Sequence, residues 1–193
     1  MRVLLKLEID CDVDAAWRAL HSPRAVAELY GPLIDLKPLD PGGLPTSWAP
    51  GSDGAPRSEA VGVQLRLAGI LPLGRQLIQP SDRVLTDPRD GSPVRTLRDT
   101  GIPISGPLAG LDVWDHQMAV SPAPRNPSRT LWRDRLVIGG AVAPLVWPLL
   151  WSTWQWRAAR IRALAPSWAY DPPAEDDTDV GVSAGERPSA LAR

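Results

Sequence analysis

The chain has 193 residues, enough for one domain with a sizeable core. Its 21 Lys and Arg side chains balance 22 Asp and Glu, and the formal net charge of −1 gives no long-range reason to expect nucleic acid as a partner. A single cysteine, Cys11, excludes a disulfide framework and a multi-cysteine metal site within the chain.

The first half of the chain predicts a strand, two short helices and then further strands. The opening stretch "RVLLKLEID" alternates apolar and polar residues, as a half-buried strand does. Asp12 or Asp14 can cap a first helix, and Pro23 opens a second that ends near Tyr30. Strands are predicted at "LIDLKPL" and "AVGVQLRLAG", on either side of a loop at 40–58 that is rich in Pro, Gly and Ser.

The second half predicts more strands and one long helix. Two candidates, "RQLIQPSDRVLT" and "PVRTLRDTGIP", carry Pro near an edge. The best hairpin pairs "DVWDHQMAV" with "RTLWRDRLVI" across the Pro-rich loop "SPAPRNPS". A long helix is predicted over 148–164, and the acidic, small-residue segment 166–193 predicts a disordered tail. Helices gathered beside about six antiparallel strands indicate an α+β domain over 1–165.

This order of elements resembles the START/Bet v 1-like superfamily, also called SRPBCC, which includes polyketide cyclases/dehydrases and lipid-transport proteins. The stretch "LEIDCDVDAAWRALHSPRAVAELY" resembles the family's opening strand and helix with one Trp. The stretches "GLDVWDHQMAV" and "RTLWRDRLVIGG" resemble the paired strands of a bacterial subgroup, with Trp-x-His on one and Thr-x-x-x-Asp on the other. The final helix with its Arg-rich end matches in position. The loop at 40–58 and the segment 70–110 depart from the pattern.

The resemblance implies a helix-grip fold, in which a curved antiparallel β-sheet wraps around a long C-terminal α-helix and leaves an apolar cavity between them. It also implies a small hydrophobic ligand, such as a lipid, a sterol, a polyketide or an aromatic compound. Because the family has no shared set of catalytic residues, the resemblance assigns no catalytic role. We expect no metal and no other cofactor, since two His and one Cys lie far apart and lack ligand spacing.

The charge-free run at 136–156 has two interpretations. Its length is adequate for a transmembrane helix, but Gly139 and Gly140 interrupt it and its Trp residues are spread along half the segment rather than gathered at an interface. In the alternative, the run ends a strand, turns, and begins a helix with Pro148 in its first turn. We favour this domain interior and a cytoplasmic protein, because 1–10 lacks the apolar core of a signal peptide. Peripheral membrane contact is possible but not favoured.

The paired strands carry the main candidate for chemistry. If Val120 pairs with Thr130, then His116 lies opposite Asp134 on a face shared with Trp and Met side chains. Such a pair could act as an acid/base or orient a ligand through a hydrogen bond. It could equally be a satisfied structural pair. The other histidine, His21, stands at a helix junction before Ser-Pro and predicts a surface or capping residue.

A second set of candidates is predicted to line the cavity. On the long helix, the predicted inner stripe carries Trp147, Trp151 and Trp154, and Arg157 falls off this stripe. Trp side chains at these positions can also be plain core. The predicted ligand-binding residues are Trp17, Trp114, His116, Met118, Trp132, Trp147, Trp151 and Trp154.

Three functions therefore stay open at this point. The first is binding or transport of a small hydrophobic molecule. The second is a cyclase- or dehydratase-type enzyme that uses His116 and Asp134 as its acid/base pair. The third is a peripheral membrane-associated protein. The absence of a recognisable second acid or nucleophile favours the first function, and the sequence does not indicate an oligomeric state.

Overall fold

Two antiparallel sheets and three α-helices make up the part of the chain that the computed structural model describes, residues 1–48 and 60–170. The strands are β1 (Arg2–Ile9), β2 (Ile34–Pro38), β3 (Val61–Leu67), β4 (Leu71–Ile78), β5 (Pro80–Thr86), β6 (Pro93–Asp99), β7 (Val113–Ala123) and β8 (Asn126–Gly139). The helices are α1 (Val13–His21), α2 (Pro23–Tyr30) and α3 (Ala143–Trp168), with a short 3-10 turn at Pro107–Gly110.

The larger sheet has the strand order β1-β8-β7-β6-β5, and the smaller sheet has the order β2-β3-β4. Helix α3 packs against β1 and α2, and the α+β class with a helix-grip arrangement is confirmed. The predicted single strand "RQLIQPSDRVLT" is wrong, because the chain leaves one sheet at Ile78 and enters the other at Pro80. Proline has no N–H with which to continue the first ladder, so β4 ends just before Pro80, which begins β5.

Local capping explains where the first helices begin. The Asp12 carboxylate accepts a hydrogen bond from the Ala15 amide at 2.7 Å, and the Ser22 hydroxyl accepts one from the Ala25 amide at 3.2 Å. Pro23 occupies the first turn of α2, where its missing N–H is not needed. These caps confirm the predicted starts of both helices, which are separated by Ser22 alone.

The β7–β8 hairpin is longer than predicted. Strand β7 runs to Ala123 and β8 begins at Asn126, so most of the Pro-rich segment belongs to the strands and not to a loop. As a consequence Val120 pairs with Trp132, and the predicted pairing of Val120 with Thr130 is wrong by two residues. Because side chains alternate with a period of two, this even shift leaves every predicted inward-facing residue on the same face.

The charge-free run at 136–156 is divided between the end of β8, a turn at Gly140 and the first half of α3. The helix begins at Ala143, earlier than predicted, so that Pro148 lies inside it and not in its first turn. Within the two described ranges, no helix is long and apolar enough to cross a membrane. Helix α3 continues to Trp168, and residues 171–193 of the predicted tail lie outside the described residues, as do 49–59 of the predicted loop.

The inner stripe of α3 differs from the predicted one. Trp154 is buried as expected, but Trp151 is 46% exposed and Arg157 is only 1% exposed. Hydropathy assigns the Trp to the interior and the Arg to solvent. The structure reverses both because Arg157 has a buried counter-charge, Asp134, and the stripe is turned towards it.

Candidate functional site

A cavity of about 190 Å³ lies between the smaller sheet, the inner face of the larger sheet, α2 and α3. Most of its wall is aliphatic or indole carbon, as in sites that bind small apolar molecules. The wall includes Leu20, Val26, Leu36, Val63, Leu65, Leu97, Trp114, Met118, Leu150 and Trp154. Its polar members are fewer: Tyr30, Gln76, Asp99, His116, Thr153 and Arg157.

The predicted ligand-binding residues divide into two groups of equal size. Those that line the cavity are Trp114, His116, Met118 and Trp154. Those that do not are Trp17, Trp132, Trp147 and Trp151.

Each Trp of the second group has a different place in the fold. Trp132 is fully buried in the other half of the core, where its ring lies 5.8 Å from that of Trp168. Trp17 packs edge-on against His21 at 4.3 Å. Trp147 donates a hydrogen bond to the Arg2 carbonyl oxygen at 3.1 Å, and Trp151 faces solvent. None of these four side chains forms the wall of the cavity.

His116 and Asp134 lie within hydrogen-bond distance, as the sequence analysis anticipated. The His116 Nε2 atom is 2.9 Å from Asp134 Oδ1, although the two residues are diagonal and not directly opposite, because His116 pairs with Leu136. The same carboxylate oxygen accepts a hydrogen bond from Trp154 Nε1 at 2.8 Å. An ionised carboxylate only accepts hydrogen bonds, so the His116 proton is held on Nε2.

Arg157 belongs to this cluster and was missed by sequence reasoning. Its Nη2 atom lies 3.1 Å from Asp134 Oδ2 as an ion pair without hydrogen-bond alignment, and its Nη1 atom donates to the Tyr30 hydroxyl at 2.6 Å. The guanidinium also lies 4.8 Å from the centre of the Tyr30 ring. The sequence contained only an indirect signal for the burial of Arg157. A carboxylate predicted on an apolar face, such as Asp134, needs a counter-charge from another element.

These contacts determine the charges of the cluster. Burial opposes ionisation of Asp134, but the Arg157 guanidinium, the His116 ring and two hydrogen bonds outweigh it and lower the pKa of this carboxyl to about 2. Burial raises the pKa of the Tyr30 phenol, although Arg157 acts in the opposite direction. At neutral pH the cluster therefore holds one carboxylate, one guanidinium and an uncharged phenol.

A second carboxyl group, Asp99, also lines the cavity and was missed by sequence reasoning. It is 8% exposed, and its Oδ1 atom accepts hydrogen bonds from the Gln79 and Gly101 amides at 2.8 and 2.9 Å. Burial raises its pKa, against the effect of these amides and of His116. Asp99 stands at the end of β6 directly opposite His116. Its alternation with Leu97 was a usable signal for the inner face.

The expectation that His21 is a surface or capping residue is wrong. This side chain is 6% exposed, its Nε2 atom lies 2.9 Å from an Asp82 carboxylate oxygen, and its Nδ1 atom lies 2.9 Å from the Trp17 carbonyl oxygen. Its partner is 61 residues away, so local context gave no indication of the pair. Within residues 1–48 and 60–170, no group of three or more His, Cys, Asp or Glu side chains could hold a metal ion.

Comparison with known proteins identifies the type of fold. No protein-family model matches the sequence, and no curated protein matches it either. Solved structures do match. Norcoclaurine synthase from Thalictrum flavum, in complex with dopamine and hydroxybenzaldehyde, is similar with a TM-score of 0.52 at 12% identity, over 86% of this chain and 87% of that chain.

Two further solved structures are similar to the same extent. A structural-genomics protein from Chromobacterium violaceum gives a TM-score of 0.52 at 14% identity over 86% of this chain and 98% of its own. A protein from Mycobacterium smegmatis gives 0.54 at 12% identity over 86% and 92%. At such identities the likeness concerns the fold alone, and it shows a START/Bet v 1-like, SRPBCC-type fold.

Proposed function

We propose that this chain, with its START/Bet v 1-like fold, binds or carries a small hydrophobic molecule in its internal cavity, of lipid, polyketide or aromatic type. The observation that carries the proposal is the cavity itself, about 190 Å³ of space with a mainly apolar wall. Protein interiors are normally close-packed, so unfilled space of this kind forfeits contact energy unless a ligand occupies it. An engineered apolar cavity of about 150 Å³ is enough to bind benzene.

The comparison with norcoclaurine synthase supports a small-molecule ligand. In that protein the same fold holds dopamine and hydroxybenzaldehyde, which are both small aromatic molecules. For this chain we propose a ligand of similar dimensions, bound in the cytoplasm. Peripheral membrane association stays a weaker alternative, since nothing in the site requires a bilayer.

The experiment compares two matched substitutions. Val26 lines the cavity, whereas Val84 is 70% exposed on β5 and does not line it. Val26→Trp fills the cavity, so it should abolish binding of naphthalene, measured as a shift of the melting temperature. Val84→Trp should bind naphthalene as the wild type does. Native mass spectrometry of the purified wild type should also show a co-purified apolar molecule that Val26→Trp lacks. Equal binding by both variants would contradict the proposal.

A second candidate function is an enzyme of cyclase or dehydratase type, and Asp99 is the observation that favours it. The sequence analysis found no second acid beside His116, and Asp99 supplies one directly opposite it. In a dehydration, His116 Nδ1 takes a proton from the carbon next to a ketone. The protonated Asp99 gives its proton to the departing hydroxyl, so a C–H and a C–O bond break, a C=C bond forms and water leaves.

The probe for this second function is 3-hydroxy-1-tetralone. Loss of water followed by tautomerisation converts it to 1-naphthol, whose fluorescence reports the reaction. An enzyme should release 1-naphthol faster than buffer alone, and Asp99→Asn should abolish this rate while still binding naphthalene. Binding of the tetralone without any acceleration would leave ligand binding as the function and exclude this dehydration.

A further inference from the structure

We propose that the ligand is an uncharged molecule of one or two rings with a hydroxyl group, and that Asp99 and His116 bind this hydroxyl inside the cavity. The inference rests on the proposed ligand-binding function and makes its chemistry specific. It follows from three features of the cavity, which are its unused polar atoms, the balance of its charges and its volume.

Three buried polar side chains of the cavity wall have unused hydrogen-bonding capacity. Gln76, Asp99 and His116 are 7%, 8% and 4% exposed. His116 uses Nε2 for Asp134, and its Nδ1 atom has no partner among the described residues. Asp99 uses Oδ1 for two backbone amides, and its Oδ2 atom has no such partner. Buried polar atoms are normally paired, so these atoms indicate a polar group on the occupant.

Asp99 and His116 face the cavity from neighbouring positions. The two residues are direct partners across β6 and β7, and both line the cavity. Directly opposed side chains have Cβ atoms about 4.5–5.5 Å apart, close enough for one small group to contact both. In the neutral imidazole, whose proton lies on Nε2 facing Asp134, Nδ1 can accept a hydrogen bond. A hydroxyl can donate to Nδ1 and accept from the Asp99 acid, which satisfies both residues at once.

The charges of the wall disfavour an ionised ligand. Among the described residues that line the cavity, Arg157 is the one Lys or Arg side chain, and Asp134 already neutralises it. A ligand carboxylate would therefore meet no free cation and would lie near Asp99. A ligand ammonium would need Asp99 as a carboxylate, but burial raises the pKa of Asp99 and favours the acid form. An uncompensated charge in an apolar cavity is strongly disfavoured.

The volume limits the ring system. The cavity of about 190 Å³ is somewhat larger than the engineered cavity of about 150 Å³ that accepts benzene. One ring or two fused rings fit this space, and a sterol skeleton of four rings does not fit without expansion of the wall.

The test uses five probes that share one ring system: 2-naphthol, 2-methoxynaphthalene, naphthalene, 2-naphthoate and 2-(aminomethyl)naphthalene. Their affinities for the wild type are measured at pH 7 by titration calorimetry. We expect 2-naphthol to bind at least tenfold more tightly than naphthalene. The methoxy compound, which keeps the oxygen but cannot donate, should bind no better than naphthalene, and the two charged probes should bind more weakly. These comparisons need no variant protein.

A pair of variants then assigns the preference to Asp99. Asp99→Leu should reduce the ratio of 2-naphthol to naphthalene affinity several-fold, because leucine cannot donate a hydrogen bond to the ligand hydroxyl. The matched control is Asp115→Leu, since Asp115 pairs with Arg98 and does not line the cavity. It should leave the ratio unchanged.

The outcomes separate this inference from the proposed function. Tightest binding of 2-naphthoate or of the ammonium probe, or equal binding of 2-naphthol and naphthalene, would overturn the hydroxyl inference and leave ligand binding intact. No binding of any of the five probes to the wild type would contradict both.

Discussion

The chain has two histidines, and each lies 2.9 Å from an aspartate, yet the two regions differ in what the second ring nitrogen meets. In His21, Nδ1 faces the Trp17 carbonyl oxygen, so both nitrogens are used within the protein. In His116, Nδ1 has no partner among the described residues, and the ring lines the cavity. The comparison teaches that a His–Asp contact alone does not mark a site. The unused nitrogen distinguishes the two.

The two regions also differ in charge and exposure. Asp82 is 25% exposed, so water shares in its solvation, and the pair joins α1 to β5. Asp134 is fully buried and depends on Arg157, His116 and Trp154 for its stabilisation. Breaking the two regions should therefore have effects of different size on stability and of different kind on ligand binding.

The largest effect is expected for Arg157→Leu. This change leaves the Asp134 carboxylate buried without its counter-charge, which should lower the free energy of unfolding by about 3–5 kcal/mol. Urea denaturation measures the loss. The matched control is Arg160→Leu, because Arg160 is only half-buried and its side chain hydrogen-bonds only to the Glu28 carbonyl oxygen among the described residues. A cost for Arg157→Leu no greater than that for the control would contradict the buried ion pair.

Acid should weaken the region of His116 at a pH set by Asp134. The pKa of this carboxyl is lowered from 3.8 to about 2, so its stabilising contribution is fully present above pH 4 and is lost as the pH falls through about 2. The contribution is about 2 kcal/mol. The pKa of Asp99 is raised, so its neutral acid form favours the folded state at low pH. This stabilising contribution is lost as the pH rises through the pKa of the folded protein. Carbon-13 NMR titration of the carboxyls checks both, and an Asp134 midpoint at or above pH 4 would refute the prediction.

His21→Leu should cost about 1–2 kcal/mol, since it removes two hydrogen bonds but leaves Asp82 partly solvated. Affinity for 2-naphthol should not change. His116→Leu should also cost stability, since Asp134 loses a hydrogen bond, but unlike His21→Leu it should lower 2-naphthol affinity about tenfold. Denaturation and calorimetry on both variants make the comparison. A loss of affinity in His21→Leu that matches the loss in His116→Leu would remove the distinction between the two regions.

The smallest effect is expected for Trp151→Ala. Because Trp151 is 46% exposed and lies off the cavity, truncation should change stability by only about 0.5 kcal/mol and leave probe binding unchanged. Trp154→Ala is the contrast on the same helix, with an expected cost of about 3–5 kcal/mol. Chemical denaturation of both variants checks the difference, and equal costs would show that the inner stripe of α3 is assigned incorrectly.

Most of the architecture could be predicted from alternation and caps. The face shared by Trp114, His116 and Met118 was predicted correctly although the hairpin pairing was wrong, because an even shift preserves faces. The burial of Arg157 and of His21 could not be predicted. Hydropathy places a charged side chain outside, and the partners that hold these two inside come from strands distant in the sequence. Non-local charge compensation leaves no periodic signal.

One measurement tests the central claim most directly, because a nitrogen-15 spectrum of the imidazoles contains only two residues. The spectrum is recorded with and without saturating 2-naphthol. The account predicts that His116 is an Nε2–H imidazole whose Nδ1 resonance shifts when the ligand binds, and that both nitrogens of His21 keep their positions. Binding of 2-naphthol that leaves His116 Nδ1 unchanged, or that shifts His21 instead, would contradict the account.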